Sequence, residues 1–251
     1  MISIVTPVYN AINFIDNTID MVMSQTYTDW EWILVEDGST DGTREKLVAL
    51  MNSPDFDRRI KIILFDENEN GAAGARNRGL DEVTGRFVAF LDADDVWMPD
   101  KLEKQLTFME QRDAAFSFTS YEFGDADANG TGRYVRVPEV LTYKKALSRT
   151  VIFTTTTMFD TEKIDIRLIH MPLVASEDTA TWWQILRTGV NAYGLDEVLA
   201  IYRRPAQSLS SNKMLAIKRI WFLYRKMEKL NPIVSAFYFC GWAVRATLRR
   251  I

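Results

Sequence analysis

The sequence is poor in residues that bind metals through nitrogen or sulfur. Its 251 residues include one histidine, His170, and one cysteine, Cys240. A single cysteine cannot form a disulfide within the chain, which fits a reducing compartment. A zinc site of the His/Cys type is excluded because it needs several such ligands. Any metal ion must therefore be held by oxygen ligands.

The chain also lacks an excess of positive charge. It has 30 Lys and Arg against 34 Asp and Glu, and its formal net charge is -4. Proteins that bind the phosphate backbone of nucleic acids usually present a basic face, so no nucleic acid is expected as a partner. A hydrophobic content of 47% is that of a globular protein able to bury a sizeable core.

Long hydrophobic runs are missing too. The most membrane-like stretch, residues 233–244, is shorter than the roughly 20 residues that a spanning helix needs, and Arg245 follows it directly. Apolar residues 2–5 follow Met1 without the basic region of a secretory signal. We therefore expect a cytoplasmic protein without a membrane-spanning helix.

Short β-branched or aromatic runs alternate with helical patterns up to about residue 92, which is typical of βαβ units on a parallel sheet. Beyond residue 120 the alternation stops, and residues 121–210 predict short strands and loops around one helix, with a hairpin turn at 125–132. Strands are predicted over 2–6, 32–36, 60–65, 87–91 and 115–120. Helices are predicted over 12–23, 43–51, 71–83, 102–110, 177–187, 212–230 and 233–248. The predicted fold class is α/β.

Residues able to bind a polar ligand follow three predicted strands where each strand ends. Ligands of open α/β sheets bind beyond the carboxyl ends of the strands. Burying these groups together would be costly unless a charged or polar ligand and a cation compensated them. The residues are Thr6, Pro7, Tyr9 and Asn10 after the first strand, Asp37, Gly38 and Ser39 after the second, and Asp92, Asp94 and Asp95 after the fourth.

Two carboxylates stand two residues apart in the sequence Asp92-Ala93-Asp94, at the end of an apolar strand. Mg²⁺ and Mn²⁺ take one or two carboxylates and complete their shell with water and phosphate oxygens. This sequence is therefore a candidate site for a metal ion bound to a diphosphate. The alternative is that the acids only cap the next turn and helix.

Asp37 begins a glycine-containing turn over residues 37–42. It either belongs only to a tight turn before a capped helix or accepts hydrogen bonds from a base or ribose. The cluster Gly71, Gly74 and Gly79 lacks the Lys-Ser/Thr ending of a P-loop, and we expect it to allow close packing of helix and ligand.

Arg76 and Arg78, beside these glycines, either meet phosphate or are solvated surface charges. Ser176, Glu177 and Asp178 precede an apolar helix. Ser at the cap and acids in the first turn stabilise any helix. The helix N-terminus would also keep Asp178 ionised, which is the state that a general base needs.

Five segments together resemble the inverting glycosyltransferases of family two, which have the GT-A fold. They are SIVTPVYN at 3–10, VEDGSTDGT at 35–43, NGAAGARNRGL at 70–80, LDADDVW at 91–97 and SED at 176–178. The resemblance implies a Rossmann-like nucleotide-binding mixed sheet flanked by helices over residues 1–211, with a C-terminal helical extension over 212–251. Residues 192–204 and 208–213 resemble the subgroup, including teichuronic acid glycosyltransferases, that builds bacterial cell-surface polysaccharides.

The resemblance implies a nucleoside diphosphate-sugar donor, most often UDP-linked, a glycan or lipid-linked oligosaccharide acceptor, and Mn²⁺ or Mg²⁺ as cofactor. Asp37 would face the base, Asp92 the ribose or metal, and Asp94 the metal. Asp178 would be the catalytic base, with Glu177 shaping the acceptor site. The donor-binding residues would be Thr6, Pro7, Tyr9, Asn10, Asp37, Gly38, Ser39, Arg76, Asp92 and Ala93.

The chain departs from the family pattern in two places. Glu36 replaces a first aspartate, although Asp37 is retained. Many relatives carry a histidine shortly after the YR pair, whereas Arg203, Arg204 and Pro205 offer none, so a third protein ligand for the metal is missing. The Q/R-x-x-R-W signature of processive synthases is also absent, which favours addition of a single sugar.

The C-terminal helices combine an aromatic stripe with basic residues. The stripe packs on the core, or it lies at the inner face of the cell membrane, or it mediates a homodimer. Two other functions remain open: a sugar-nucleotide pyrophosphorylase, and a non-catalytic nucleotide- or glycan-binding component of an assembly complex. The first would need a G-x-G-T-R loop after strand one, where TPVYNA stands. Retention of Asp94 and Asp178 argues against the second.

Overall fold

Ten strands form one mixed sheet in this computed structural model, which describes residues 1–66, 70–203 and 213–248. The strands are β1 (Ile2–Val8), β2 (Trp30–Asp37), β3 (Ile60–Phe65), β4 (Phe87–Phe90), β5 (Val96–Trp97), β6 (Phe116–Gly124), β7 (Gly130–Val135), β8 (Val140–Leu141), β9 (Met158–Asp160) and β10 (Ala192–Arg203). Their order is β3-β2-β1-β4-β9-β6-β10-β5, with β7 on β6 and β8 on β10.

Helices flank this sheet and continue beyond it. They are α1 (Ile15–Met23), α2 (Thr43–Met51), α3 (Gly71–Leu80), α4 (Lys101–Gln111), α5 (Tyr143–Leu147), α6 (Glu177–Arg187), α7 (Lys213–Phe222) and α8 (Pro232–Leu248). Short 3₁₀ turns cover Thr154–Thr156 and Ile166–Leu168, and a π-helical turn, Leu223–Met227, continues α7. The α/β class and the helices and strands predicted from the pattern are confirmed, with shifted ends such as the start of α1 at Ile15.

The order of the parallel strands reverses at β1, which pairs with β2 on one side and with β4 on the other. Both faces of these strands are covered, so they are continuous apolar runs rather than alternating ones. Helix α3 packs directly on them: a Cβ at Gly79 would lie 2.5 Å from Val5 Cγ1 and 3.3 Å from Val35 Cγ2. At Gly79 the close packing is between helix and sheet, whereas the expected packing of helix and ligand at this glycine cluster stays a prediction.

The second half of the sheet is built around β6 and the 12-residue strand β10, which pairs with it in parallel. The register shifts between Leu195 and Val198 and again before Ala200. These irregularities explain why the sequence predicted only short strands here. The predicted hairpin turn is confirmed between β6 and β7, where the backbone N–H groups of Asp127 and Asn129 donate to Asp125 Oδ1.

The C-terminal helices pack on the α/β body through aromatic side chains. Tyr224 stacks on Trp183 of α6 with ring centroids 5.2 Å apart. Pro232 occupies the first position of α8, where its missing N–H is not needed. Within the part of the chain that the structure describes, no helix is both long and apolar enough to cross a bilayer. The predicted boundary between residues 211 and 212 lies outside the described residues.

Candidate active site

A cavity of about 400 Å³ opens beyond the carboxyl ends of β1, β2 and β4, where the strand order reverses. This is the place where open α/β sheets bind ligands. It brings together eight of the predicted donor-binding and metal-binding residues: Pro7, Tyr9, Asn10, Asp37, Arg76, Asp92, Ala93 and Asp94.

Three residues predicted to bind the donor do not line this cavity. Thr6 is buried beneath it and accepts a hydrogen bond of 2.9 Å from Trp32 Nε1. Ser39 Oγ accepts from the backbone N–H of Asn10 at 2.9 Å, which holds Asn10 in a left-handed conformation with a φ of 50°. Gly38, with a φ of 76°, turns the chain after Asp37. Their observed contacts therefore shape the loops around the cavity.

Asp37 is buried at the edge of the cavity, and its Oδ1 accepts from Arg78 Nη1 at 2.7 Å. The guanidinium of Arg78 lies 3.8 Å from the ring centroid of Phe65. Arg78 is therefore not a solvated surface charge, since it pairs with Asp37. Its contact with phosphate stays a prediction. The preceding Glu36 is fully buried and bonds Arg44 at 2.9 Å, away from the cavity wall. Asp37 alone of these two acids is thus placed to meet a ligand.

Negative charge is concentrated at the end of β4. Burial, and then the charge of Asp92, raise the pKa of Asp94 to about 6. Burial, followed by the charges of Asp94 and Asp92, also raises the pKa of Asp95. Asp95 is held inside by the hydroxyl of Thr155, at 2.6 Å, and by the backbone N–H of Arg203, at 3.1 Å. A bound cation would relieve this repulsion.

The residues at this strand end fit a hard divalent cation that shares its shell with a ligand. No group of three or more His, Cys, Asp or Glu side chains is arranged to hold a metal within residues 1–66, 70–203 and 213–248. Mg²⁺ and Mn²⁺ need only one or two carboxylates when phosphate oxygens and water complete the shell. Asp94 and Asp92 would supply these, whereas Asp95 is already engaged inside.

Arg76 joins the cavity to helix α6. It is 5% exposed, Nη2 donates to Asp92 Oδ1, and Nη1 lies 3.6 Å from Glu177 Oε1. The interpretation of Arg76 as a solvated surface charge is therefore wrong. Because this buried guanidinium pairs with Asp92 and with Glu177, it holds the end of β4 against the helix that carries the predicted base.

The predicted base lies in the first turn of α6. Burial, and then the charge of Glu177, raise the pKa of Asp178, so they outweigh the helix N-terminus that we expected to favour its ionised form. Its Oδ1 accepts from the backbone N–H of Thr179 at 2.6 Å. Ser176 stands at the N-cap in a left-handed conformation and its hydroxyl makes no capping bond, contrary to the capping prediction.

Sequence reasoning missed the supporting roles of Arg203 and Thr155. Arg203 Nε donates to the backbone oxygen of Asp94 at 2.6 Å, and its guanidinium lies 4.5 Å from the ring centroid of Phe14. Thr155 Oγ1 accepts from the N–H of Asp92 at 3.2 Å. The only sequence signal was an unusual run of four threonines at 154–157. Residues 204–212, including Arg204 and Pro205, lie outside the described part.

Comparisons with known proteins agree with this arrangement. A family model described as Glycosyl transferase family 2 matches residues 3–167. The putative teichuronic acid biosynthesis glycosyltransferase TuaG of Bacillus subtilis is 43% identical, covering 100% of this chain and 98% of the relative. The UDP-Glc:alpha-D-GlcNAc-diphosphoundecaprenol beta-1,3-glucosyltransferase WfgD of Escherichia coli is 34% identical, covering 97% and 92%.

Two solved structures share the fold. Residues 1–349 of S. aureus TarS in complex with UDP-GlcNAc superpose with a TM-score of 0.70 at 17% identity, covering 96% of this chain and 71% of that one. The mannosyltransferase PcManGT from Pyrobaculum calidifontis, in complex with GDP-Man and Mn2+, gives 0.72 at 20% identity, covering 96% and 68%. At such identities the likeness establishes the GT-A fold alone.

Proposed function

Because the chain belongs to glycosyl transferase family 2, we propose that it moves one sugar from a UDP-sugar to an acceptor hydroxyl during synthesis of a bacterial surface polysaccharide. The observation that carries this proposal is a single cavity with Asp37 at one side, Asp92 and Asp94 at the other, and Arg76 linking it to α6. Family membership makes the chain a glycosyltransferase, which sets the pyrophosphorylase alternative aside.

The donor would occupy this cavity across the strand reversal. Asp37 accepts hydrogen bonds from the base, and the ring of Tyr9, which is 51% exposed at the rim, is free to stack on it. Asp92 faces the ribose or the metal. The choice of UDP is supported by the UDP-Glc named for the Escherichia coli relative and by the UDP-GlcNAc bound to TarS.

We propose Mn²⁺ or Mg²⁺ as the cofactor, held by Asp94 and by the carboxylate of Asp92. When bound, the ion neutralises the charge that develops on the departing diphosphate. Arg76 positions Asp92 by donating to its Oδ1, and Arg203 positions Asp94 by donating to its backbone oxygen.

Asp178 would act as general base on the acceptor hydroxyl, whose oxygen attacks the anomeric carbon in line with the departing diphosphate. A raised pKa makes its carboxylate a better proton acceptor than an ordinary aspartate. One displacement inverts the anomeric centre, so an α-linked donor gives a β-linked product. Glu177 shapes the acceptor side and is held there by Arg76.

The acceptor we propose is a sugar linked through diphosphate to a polyisoprenoid lipid. The Escherichia coli relatives are named for acceptors of this kind, diphosphoundecaprenol-linked GlcNAc. We also propose that the C-terminal helices contact the inner face of the membrane, because they expose large apolar side chains: Met214, Phe222, Ile233, Phe237 and Val244. A homodimer through the same helices is the competing arrangement.

Calorimetric titration of UDP, with and without Mn²⁺, tests the donor site. We expect Mn²⁺ to strengthen binding in the wild type and in the control Asp113→Asn, whose carboxylate is 92% exposed, but not in Asp94→Asn. If UDP fails to bind the wild type, the donor assignment is wrong. If Mn²⁺ acts equally on Asp94→Asn, the metal role of Asp94 is wrong.

A further inference from the structure

A second cavity, of about 380 Å³, shares no lining residue with the donor cavity. It lies between the end of β7, the loop after α5 and the C-terminal half of α8. Its wall carries three arginines, Arg136, Arg149 and Arg245, and no acid among the described lining residues. Such a cluster favours an anion with several acceptor oxygens, because guanidinium groups bind phosphate in a bidentate manner.

In the described part of the chain, Arg245 and Arg136 are held at the cavity by weak partners. Arg245 donates to Ser148 Oγ at 3.1 Å. In the described part of the chain, Nη1 is the donor in each hydrogen bond of the Arg245 side chain. Arg136 pairs with Asp196 at 3.5 Å, where both side chains are more than half exposed. Exposed pairs of this kind contribute about 0.2–1 kcal/mol, so an incoming phosphate can compete with them.

The basic cavity continues into an apolar groove of about 770 Å³ along α8, and the two share Ser148 and Arg245. Phe237, Cys240 and Val244 line this groove at helical spacing. Ile233, which is 83% exposed, extends the same face. From Ile233 to Val244 the helix rises about 16 Å. A charged pocket that opens into an apolar groove suits an amphiphile with an anionic head.

We propose that this composite site binds the lipid diphosphate of the acceptor, with the diphosphate at the three arginines and the isoprenoid chain along α8. This inference rests on the proposed function, which supplies the acceptor class. The loop that forms the cavity ends at Val151, and Thr155 four residues later bonds Asp92 and Asp95. Four residues span at most about 14 Å, so this short segment keeps the composite site near the turn that carries Asp92.

Binding of farnesyl diphosphate, measured by calorimetry with UDP and Mn²⁺ saturating the donor cavity, tests the site directly. We expect binding to the wild type and at least about tenfold weaker binding to Arg245→Gln, because one charge-assisted hydrogen-bonding partner is lost. Val244→Glu should weaken it as well, and farnesol should bind far more weakly than the diphosphate. The matched control is Arg167→Gln, whose side chain is 85% exposed and pairs with Asp165. Equal affinity for farnesyl diphosphate in the wild type, Arg245→Gln, Val244→Glu and Arg167→Gln would overturn the proposal.

Transfer assays separate this proposal from the function on which it rests. Two synthetic acceptors carry the same first sugar on a farnesyl chain, one through a diphosphate and one through an ether. We expect Arg245→Gln to raise KM about tenfold for the diphosphate acceptor only, with kcat kept. If the wild type uses neither acceptor, the proposed function is wrong, and the calorimetry still decides the site. If the wild type and Arg245→Gln use both acceptors with the same KM, the proposed lipid diphosphate site is wrong.

Discussion

Arg76 is a buried cation that pairs with both Asp92 and Glu177, so it connects the end of β4 to helix α6. Replacing it with Leu leaves Asp92 and Glu177 partly buried without their partner. We expect the free energy of unfolding to fall by about 2–4 kcal/mol, since an uncompensated charge is costly to bury. Urea denaturation measures this, and Arg167→Leu, which breaks an exposed pair, should change stability by less than about 0.5 kcal/mol. Equal losses would contradict the role of Arg76.

Asp178 is the general base that we propose. We expect Asp178→Asn to lower kcat by about 10²–10⁴ while UDP binding is kept. The wild-type rate should fall as the pH drops through the raised pKa of Asp178, because only the carboxylate can take the acceptor proton. Glu177→Gln removes a charge that raises the pKa of Asp178. In this variant the loss of rate on acidification should therefore occur at lower pH than in the wild type. A pH profile of kcat/KM that is unchanged in Glu177→Gln would contradict this assignment.

As the proposed metal ligand, the carboxyl of Asp94 would give metal binding its own pH dependence. Its pKa is raised to about 6, and the protonated form cannot bind a cation. The gain in UDP affinity caused by Mn²⁺ should therefore be full above this pH and be lost as the pH falls below it. Titrations between pH 5 and 8 check this, and Asp94→Asn should show no such change. A gain that stays constant down to pH 5 would count against Asp94 as the ligand.

The acidic residues of the candidate site could be predicted from the sequence, but the residues that hydrogen-bond to them could not. Asp37, Asp92 and Asp94 follow apolar strands, which is a local pattern. Arg203 contacts Asp94 across a separation of 109 residues, and Thr155 contacts Asp92 across 63. No local pattern encodes such contacts, since they depend on how the end of β10 and the 3₁₀ turn meet the turn after β4.

Among the elements, α3 is the one most tightly fitted to the sheet. Gly79→Ala would place a methyl group against Val5 and Val35 of the two central strands. We expect a loss of about 1–3 kcal/mol in the free energy of unfolding, because neither strand can move freely. The double variant with Val5→Ala should recover part of this loss, and strictly additive effects in a double-mutant cycle would contradict the contact.

The elements of the first half could be predicted because each strand is one apolar run closed by polar residues. The long strand β10 of the second half could not, because it carries Asp196 and Glu197 in its middle and shifts register twice. Strands β5 and β8 have two residues each and are defined only by their partners. Sequence periodicity cannot detect elements of that length.

On the scale of the whole molecule, charge is unevenly distributed. Residues 213–248 contain seven Lys and Arg and one acid, Glu228, although the chain as a whole has a net charge of -4. Glu228 is buried against Arg187, with its side chain 2% exposed. The C-terminal helices are therefore a basic unit with exposed apolar residues, attached to an acidic body.

Vesicle sedimentation tests the membrane contact. We expect binding to phosphatidylglycerol vesicles that weakens with salt, and little binding to phosphatidylcholine. Phe237→Glu should reduce it about tenfold through the lost burial of one aromatic ring. Met51→Glu, on α2 and 41% exposed, is the control. If Phe237→Glu instead converts a dimer to a monomer and vesicles are not bound, the helices form a subunit interface.

The two register shifts in β10 also restrict how the chain can change in length during evolution. Side chains alternate between the two faces of a strand, so deletion of one residue before Arg203 would turn its guanidinium to the opposite face, away from Asp94. Changes of two residues preserve the face, and a change of one is tolerated only if a bulge is gained or lost with it. Insertions and deletions in this strand of related chains should therefore come in pairs, wherever an arginine supports the turn after β4.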